Sequence, residues 1–329
     1  MIGLISLLTN DAYLQVERAQ RWLEEKHGFT NPGYARPHVT YVIGAGSTVS
    51  PALIERIEAL AEDTGHFQIR LSGLGLFPEE PPVLYLPVQP SAELAALQGA
   101  ACRALEEAGE TVRPYYGSES WIPHVTLASG MVTPDKMEAV CAEMPAAGID
   151  LAARLAGLAL AEESPEGNWA ITREFPFRGQ NELPANPFGL RSRPCQPFDR
   201  DFVYRLVEET LRPLVSAYFA WDESLFDQNW RGSWRQKVMI LAEGRRVGYI
   251  QYDPTPAGYL YIAGLFLLPA VQGRGWGQWL LGHMEGQAEG RPVRLHVWEN
   301  NPAVSFYERH GYRIIETEGH KHLMEKRRR

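Results

Sequence analysis

Two spacings of apolar residues alternate along the chain: every second residue over short runs, and every third or fourth over longer ones. The first is the period of a half-buried strand, the second that of an amphipathic helix. In the N-terminal half they follow a fixed order that occurs twice. The first pass predicts a strand from Gly3 to Leu8, a helix carrying Leu14, Ala19, Trp22 and Leu23, and a strand from His38 to Ile43. A helix opened by Ser50 as N-cap with Pro51 in its first position follows, then a strand from His66 to Leu76. The second pass predicts a strand from Val83 to Val88, a helix from Ser91 with Leu94, Leu97, Cys102 and Leu105 on one face, and a strand from His124 to Ala128. A helix capped by Thr133-Pro134 and strands near Leu155 to Leu160 and Trp169 to Phe175 complete it. A repeated order of this kind favours two lobes facing each other about a pseudo-two-fold axis.

From Arg178 to Pro197 both periods are lost in a stretch rich in Pro, Asn, Gly and Arg, which marks a linker over 179–196 between a domain at 1–178 and one at 197–329. Beyond it the pattern predicts helices carrying Phe202, Leu206, Leu211 and Leu214, then strands at Lys237 to Ala242, Arg246 to Tyr252 and Tyr259 to Leu267. A glycine-rich turn at 272–277 opens a helix with Leu280, Leu281, Met284 and Ala288 on one face, followed by a strand (Val293 to Val297), a short helix (Ala303 to His310) and a strand near Tyr312 to Thr317. The fold class is α+β in two domains.

A length of 329 residues with 45% hydrophobic and 22% charged side chains agrees with two globular domains. Cys102, Cys141 and Cys195 are scattered and odd in number, which predicts reduced thiols and no metal site. Met1 to Leu8 lacks the basic flank and cleavage site of a signal, and no run approaches the about 20 apolar residues that span a bilayer, so a cytoplasmic protein without membrane partners is expected. The net charge of −8 argues against broad binding to duplex nucleic acid. The closing run Lys326-Arg327-Arg328-Arg329 reads as a solvated terminus, with a phosphate-binding tail as the alternative.

The duplicated strands carry the same tripeptide, His38-Val39-Thr40 and His124-Val125-Thr126, each after a proline. Residues two apart on a strand share a face, so each His projects with its Thr. Two imidazoles that titrate near neutrality suit phosphodiester cleavage: one takes a proton from the attacking hydroxyl or water and the other protonates the leaving oxygen. The threonine hydroxyls can bond phosphate oxygens as charge develops. These motifs resemble the two-histidine (2H) phosphoesterase superfamily, which includes 2′-5′ RNA ligase-like proteins and cyclic phosphodiesterases, and further likeness lies in Leu71 to Pro78, Val83 to Val88 and Leu158 to Phe177. The resemblance implies a bilobal fold with His38, Thr40, His124 and Thr126 in a central groove, acting without metal on 2′,3′-cyclic phosphates or 2′-5′ linkages of a nucleotide or RNA end. Tyr34, Arg36, Tyr41, Arg113, Tyr115, Tyr116 and Trp121 stand near the motifs in sequence, as base-stacking or phosphate-contacting residues or as rim packing. His66 is expected at the surface.

The turn Gln272-Gly273-Arg274-Gly275-Trp276-Gly277 places successive backbone N–H groups at a helix N-terminus, the physical makings of a pyrophosphate site. With Leu265-Phe266-Leu267-Leu268-Pro269 before it and Asn300-Asn301-Pro302-Ala303-Val304-Ser305-Phe306-Tyr307-Glu308-Arg309-His310-Gly311-Tyr312 after it, the segment resembles a GNAT-superfamily N-acetyltransferase over about residues 197–325. The resemblance implies acetyl-CoA as cofactor, its pyrophosphate on the amides of 272–277, its pantetheine arm along the backbone of Leu265 and Leu267, Asn300 beside it, and Tyr307 as proton donor to the departing thiolate. An amine acceptor needs a base, for which Asp222 and Glu223 are candidates. Two readings stay open: a bifunctional enzyme, or an acetyltransferase whose 2H-like domain only binds a nucleotide or RNA end.

Overall fold

A computed structural model describes residues 1–29, 36–46, 49–78, 81–117, 120–129, 133–144, 150–256 and 258–327, so Tyr34, Arg328 and Arg329 lie outside the described residues. The chain divides into two compact units, Met1–Asn181 and Glu182–Arg329.

The N-terminal unit runs β1 (Ile2–Leu7), α1 (Asn10–His27), β2 (His38–Gly44), α2 (Pro51–Asp63), β3 (Phe67–Ser72), β4 (Gly75–Phe77), β5 (Val83–Pro87), α3 (Ala92–Glu107), β6 (His124–Ser129), α4 (Pro134–Glu143), β7 (Asp150–Leu155), β8 (Gly157–Glu163) and β9 (Trp169–Pro176). The N-caps expected at Ser50 and Thr133 form, their hydroxyls accepting from the amides of Leu53 and Lys136, and Ser91 caps its helix in the same way through Leu94, each amide three residues on. The predicted strand 66–76 is broken at Gly73, whose φ of 82° turns the chain between β3 and β4. The buried face of α1 consists of Ala12, Tyr13, Val16, Gln20 and Leu23, rotated from the predicted one because it includes the polar Gln20.

The duplication is visible in the ladders. One sheet has the order β2-β1-β8-β9, and another β4-β5-β6, with a bridge from Leu71 to Val88 adding β3 beside β5. Each half thus lends a strand to the other: β8, from the second half, lies against β1, and β4, from the first, against β5. The helices are exchanged as well, α1 packing on β6 and β7, α3 on β2. Gln20 is buried because its Nε2 donates to the Thr126 carbonyl at 2.9 Å, and Gln98 of α3 because its own donates to the Tyr116 carbonyl at 2.7 Å.

The C-terminal unit has a seven-stranded sheet in the order β10-β11-β12-β13-β14-β16-β15, formed by β10 (Leu190–Pro194), β11 (Lys237–Ala242), β12 (Arg245–Asp253), β13 (Leu260–Leu267), β14 (Val293–Trp298), β15 (Arg313–Glu318) and β16 (Lys321–Lys326). On one face α7 (Trp276–Gly286) and α8 (Ala303–Arg309) enclose Ile262, Leu267, Leu280, Leu281, Val293 and Leu295; on the other, α5 (Arg200–Val215) and α6 (Glu223–Ser233) enclose Val203, Leu206, Trp230, Met239 and Tyr249.

The linker is shorter than its composition suggested. Leu190–Pro194 is an edge strand paired antiparallel with β11, and Leu183 and Leu190 are buried in the C-terminal core. Proline and glycine broke the local period, but a five-residue edge strand needs only one ladder, and Asn186 shapes the turn before it by accepting from the amides of Phe188 and Leu190. The final strand β16 inserts between β14 and β15, and its Lys326 Nζ donates to Glu285 at 2.7 Å while Arg327 Nε donates to Glu325 at 2.6 Å, so these two members of the basic run are held in ion pairs.

Candidate functional sites

In β2 the side chains of Val39 and Tyr41 are buried and those of His38 and Thr40 half-buried; in β6 Val125 and Leu127 are buried and His124 and Thr126 half-buried. The strand period therefore turns both His-Thr pairs away from the cores, as their spacing required. Local geometry repeats almost atom for atom. Leu8 N donates to the Pro37 carbonyl and Val88 N to the Pro123 carbonyl, both at 2.9 Å. Leu7 and Ile5 stand opposite His38 and Thr40, as Pro87 and Tyr85 stand opposite His124 and Thr126. In both ladders the register then shifts by one residue, leaving Tyr41 and Leu127 as the extra residues of matching β-bulges.

His38 Nδ1 lies 2.6 Å from the Arg36 carbonyl, and His124 Nδ1 2.7 Å from the Ile122 carbonyl. A carbonyl oxygen only accepts, so each Nδ1 carries a proton and the lone pair of each neutral ring sits on Nε2. Burial lowers the pKa of His38, the hydrogen bond to Arg36 works against that, and the charge of the nearby His124 lowers it further. The hydroxyls of Thr40 and Thr126 have no hydrogen-bond partner among the described residues; the Thr40 carbonyl accepts from Trp121 Nε1 at 2.9 Å.

Two aromatic residues that the sequence did not single out border His124. The ring of Phe77 meets it edge-on at 4.9 Å between centroids and that of Tyr85 at 5.2 Å, the two stacking on each other at 4.2 Å. Gly75 is the signal that could have found them: a Cβ there would come within 2.2 Å of the Tyr85 ring, which lies across it from the neighbouring strand. Of the residues near the motifs in sequence, Trp121 binds β2, Tyr41 is buried with its hydroxyl donating to Ser6 at 2.9 Å, and Tyr115 is 73% exposed. His66 is exposed, as expected.

In the C-terminal unit the glycine turn follows β13 and leads into α7. Gly273 and Gly275 have φ of 75° and 82°, the left-handed conformation that aims successive N–H groups to one side. Gln272 N–H is already used, donating to the Pro269 carbonyl at 3.2 Å, and its side chain donates to the Leu267 carbonyl at 2.9 Å. The N–H groups of Gly273, Arg274, Gly275, Trp276, Gly277 and Gln278 have no acceptor among the described residues, those from Trp276 onward being the orphan donors of a helix start. A Cβ at Gly273 would touch nothing, and one at Gly275 would lie 3.5 Å from the Phe188 ring, so the turn is open to an approaching anion. These donors and that space fit a pyrophosphate. Phe188, from the span read as linker, and Trp276 stand 6.5 Å apart beside it.

β13 and β14 are parallel neighbours only at Leu260 to Ile262 and Val293 to Leu295; beyond these both strands continue without pairing to each other. Leu265 and Leu267 lie in the unpaired stretch of β13. Asn300 Nδ2 donates to the Leu214 carbonyl at 3.0 Å, which fastens it to the end of α5. Tyr307 is buried in the α7 and α8 core, its pKa pushed up to about 12 by burial, and its hydroxyl has no hydrogen-bond partner among the described residues. Asp222 is the N-cap of α6, accepting from Ser224 N at 2.8 Å, and Glu223 pairs with Arg200 at 3.1 Å. Both candidate bases have structural partners at an exposed helix start, and the hydrogen bond from Ser224 lowers the pKa of Asp222.

The model of the 2′-5′ RNA ligase superfamily matches residues 11–166, and that of the acetyltransferase (GNAT) family residues 200–312. No curated protein matches the chain. Among solved structures, the PaiA N-acetyltransferase from Thermoplasma acidophilum, in complex with coenzyme A, is 19% identical over 42% of this chain and 99% of its own, with a TM-score of 0.36. Ard1 from Thermoplasma volcanium is 20% identical over 42% of this chain and 97% of its own, with a TM-score of 0.33. A GNAT-family acetyltransferase from Listeria monocytogenes is 19% identical over 45% of this chain and 100% of its own, with a TM-score of 0.35. The GNAT-family match makes acetyl-CoA the cofactor of the C-terminal unit.

Proposed function

Because the chain joins a 2′-5′ RNA ligase superfamily domain to a GNAT acetyltransferase domain, we propose that it is a bifunctional enzyme, opening 2′,3′-cyclic phosphates or cleaving 2′-5′ linkages at one site and acetylating an amine at the other. The observation that carries the first activity is the duplicated histidine geometry, with both Nδ1 atoms tied to backbone and both lone pairs placed on Nε2. Burial favours the neutral form of His38, which suits it to take the proton of the attacking water at Nε2. As the P–O bond to the ribose oxygen breaks, that oxygen takes a proton from Nε2 of a charged His124. The Thr40 and Thr126 hydroxyls donate to the non-bridging oxygens, where negative charge accumulates. Solvent exchange then returns both rings to their starting states.

The test is turnover of nucleoside 2′,3′-cyclic phosphates and 2′-5′-linked dinucleotides by the full chain in the presence of EDTA. Activity should persist there and be lost in His38→Ala and in His124→Ala. Wild-type protein inert on the whole panel would sink this reading.

At the second site, acetyl-CoA supplies an activated acetyl thioester. The free N–H groups from Gly273 to Gly277 bind the pyrophosphate, and Gln272 holds the end of β13 through the Leu267 carbonyl. Tyr307, protonated at neutral pH as any tyrosine is and held more firmly so by its burial, holds a proton for the sulfur. Calorimetry with CoA checks the assignment: Gly275→Phe puts a large side chain at a φ of 82° beside Phe188 and should abolish binding. Unchanged affinity in that variant would remove the turn from the site.

A further inference from the structure

The helices of the C-terminal unit leave part of one sheet face open, and a paired tyrosine and histidine stand there. Along β14, Val293, Leu295 and Val297 are buried toward α7 and α8, so Arg294, His296 and Trp298 point to the other face. Along β13, Leu260 and Ile262 belong to the same buried cluster, which puts Tyr261 on the face of His296. The two side chains meet: Tyr261 Oη and His296 Nδ1 are 2.9 Å apart. His296 is exposed. Beside the pair, the register of β12 and β13 skips Ala263, and this methyl side chain at a bulge in a central strand is itself exposed. The bulge explains why Ile262 and Leu265, an odd number of residues apart, pack against the same core.

The position of the pair follows from the parting of the strands. β13 and β14 form a fork whose closed end is the Ile262–Leu295 pair and whose open end leads to the glycine turn. From Leu267 back to Ile262 the strand covers roughly 17 Å at about 3.3 Å per residue, comparable to an extended pantetheine arm. An arm anchored by its phosphates at the turn and running along the free side of β13 therefore brings its thioester to the closed end. Tyr261 precedes Ile262 and His296 follows Leu295, so the pair flanks that point from the face open to solvent.

We propose that His296 Nε2 is the proton acceptor for the incoming amine in acetyl transfer, and that Tyr261 is the positioning residue that orients its ring. The proposal rests on the acetyltransferase reading and places the base at the strand fork, in preference to Asp222 and Glu223, which are engaged as helix cap and ion-pair partner. In the tautomer the proposal requires, Nδ1–H donates to the tyrosine oxygen 2.9 Å away and the lone pair of the neutral ring lies on Nε2. The acceptor arrives as an ammonium ion and gives one proton to Nε2. Its freed lone pair forms the C–N bond at the acetyl carbonyl as the C–S bond breaks. The second proton of the nitrogen ends on the sulfur, directly or by replacing the one given up by Tyr307, and His296 returns its proton to solvent.

The acceptor amine need not be known to test this. The full chain is incubated with bromoacetyl-CoA, whose electrophilic carbon occupies the place of the acetyl group, and the modified peptide is identified by mass spectrometry. The expected result is alkylation of His296, with a C–N bond formed at Nε2 and bromide released, suppressed by excess CoA and absent in His296→Gln. Tyr261→Phe should keep CoA affinity in calorimetry, slow the labelling at least tenfold and shift the Nδ1 nitrogen resonance of His296. CoA bound in calorimetry with His296 unlabelled overturns the proposal. Failure to bind CoA overturns the cofactor reading beneath it, so the two failures are told apart.

Discussion

The indole of Trp121 donates to the carbonyl of Thr40 at 2.9 Å. A residue three places ahead of the second His motif is thereby tied to the strand that carries the first. The bond is a direct polar link from one motif segment to the other, and it bears on the mutual placement of His38 and His124.

Trp121→Phe keeps an aromatic ring beside Tyr41 but leaves the Thr40 carbonyl without its donor. A half-buried carbonyl left unpaired costs about 1–3 kcal/mol. The expected outcome is a loss of stability of that size in the N-terminal unit, seen by denaturant titration, together with lower turnover of cyclic phosphates than of any control substitution at exposed Tyr115. Equal effects at the two positions would show that the bond does not set the site.

Gly75→Ala inserts a Cβ into the space of the Tyr85 ring. The ring must swing away, and with it the wall against His124. Overpacking of this kind costs about 1–3 kcal/mol. The variant should bind nucleotide more weakly, and Gly75→Ala combined with Tyr85→Ala should recover the stability but not the binding. Wild-type nucleotide affinity in the single variant would contradict a role for this aromatic wall.

The depressed pKa of His38 has a consequence for folding. The unfolded chain holds a histidine near its ordinary value of 6.5, the folded unit one below it. Between the two the unfolded state binds more protons, so stability of the N-terminal unit rises with pH across that window and falls as the pH drops below about 6.5. His38→Gln should flatten this slope. Hydrogen exchange at the amides of β2, followed from pH 5 to 7, reads it locally, and an unaltered slope in the variant would assign the effect to another group.

Lys237 gives a second pH signature, in the other unit. Its ammonium is bonded to Ser233 at 2.7 Å and Gln251 at 2.8 Å, and burial lowers its pKa from 10.5 to about 8, with Cys195 pulling weakly the other way. Between pH 8 and 10.5 the unfolded chain again binds more protons, so stability rises with pH through that range, by on the order of 3 kcal/mol at most. Lys237→Met should abolish the rise in exchange protection at β11; a rise that survives would assign the effect to another group, and not to the buried tyrosines, whose raised pKa values make stability fall as the pH climbs.

Much of this was legible before any tertiary structure. Ser50, Ser91 and Thr133 announced their helices because a cap acts on an amide three residues away. The paired His-Val-Thr motifs announced a shared face because strand alternation is local, and the glycines of 272–277 announced a turn at a helix start for the same reason. What the linear chain could not carry was which strands meet. The exchange of helices and strands between the repeats, the edge strand within the supposed linker and the bond from Tyr261 to His296 all depend on sheet order. A residue's period is written by its neighbours in sequence, whereas its partner across a ladder is chosen by the whole core, by the burial and backbone pairing gained when distant segments pack together.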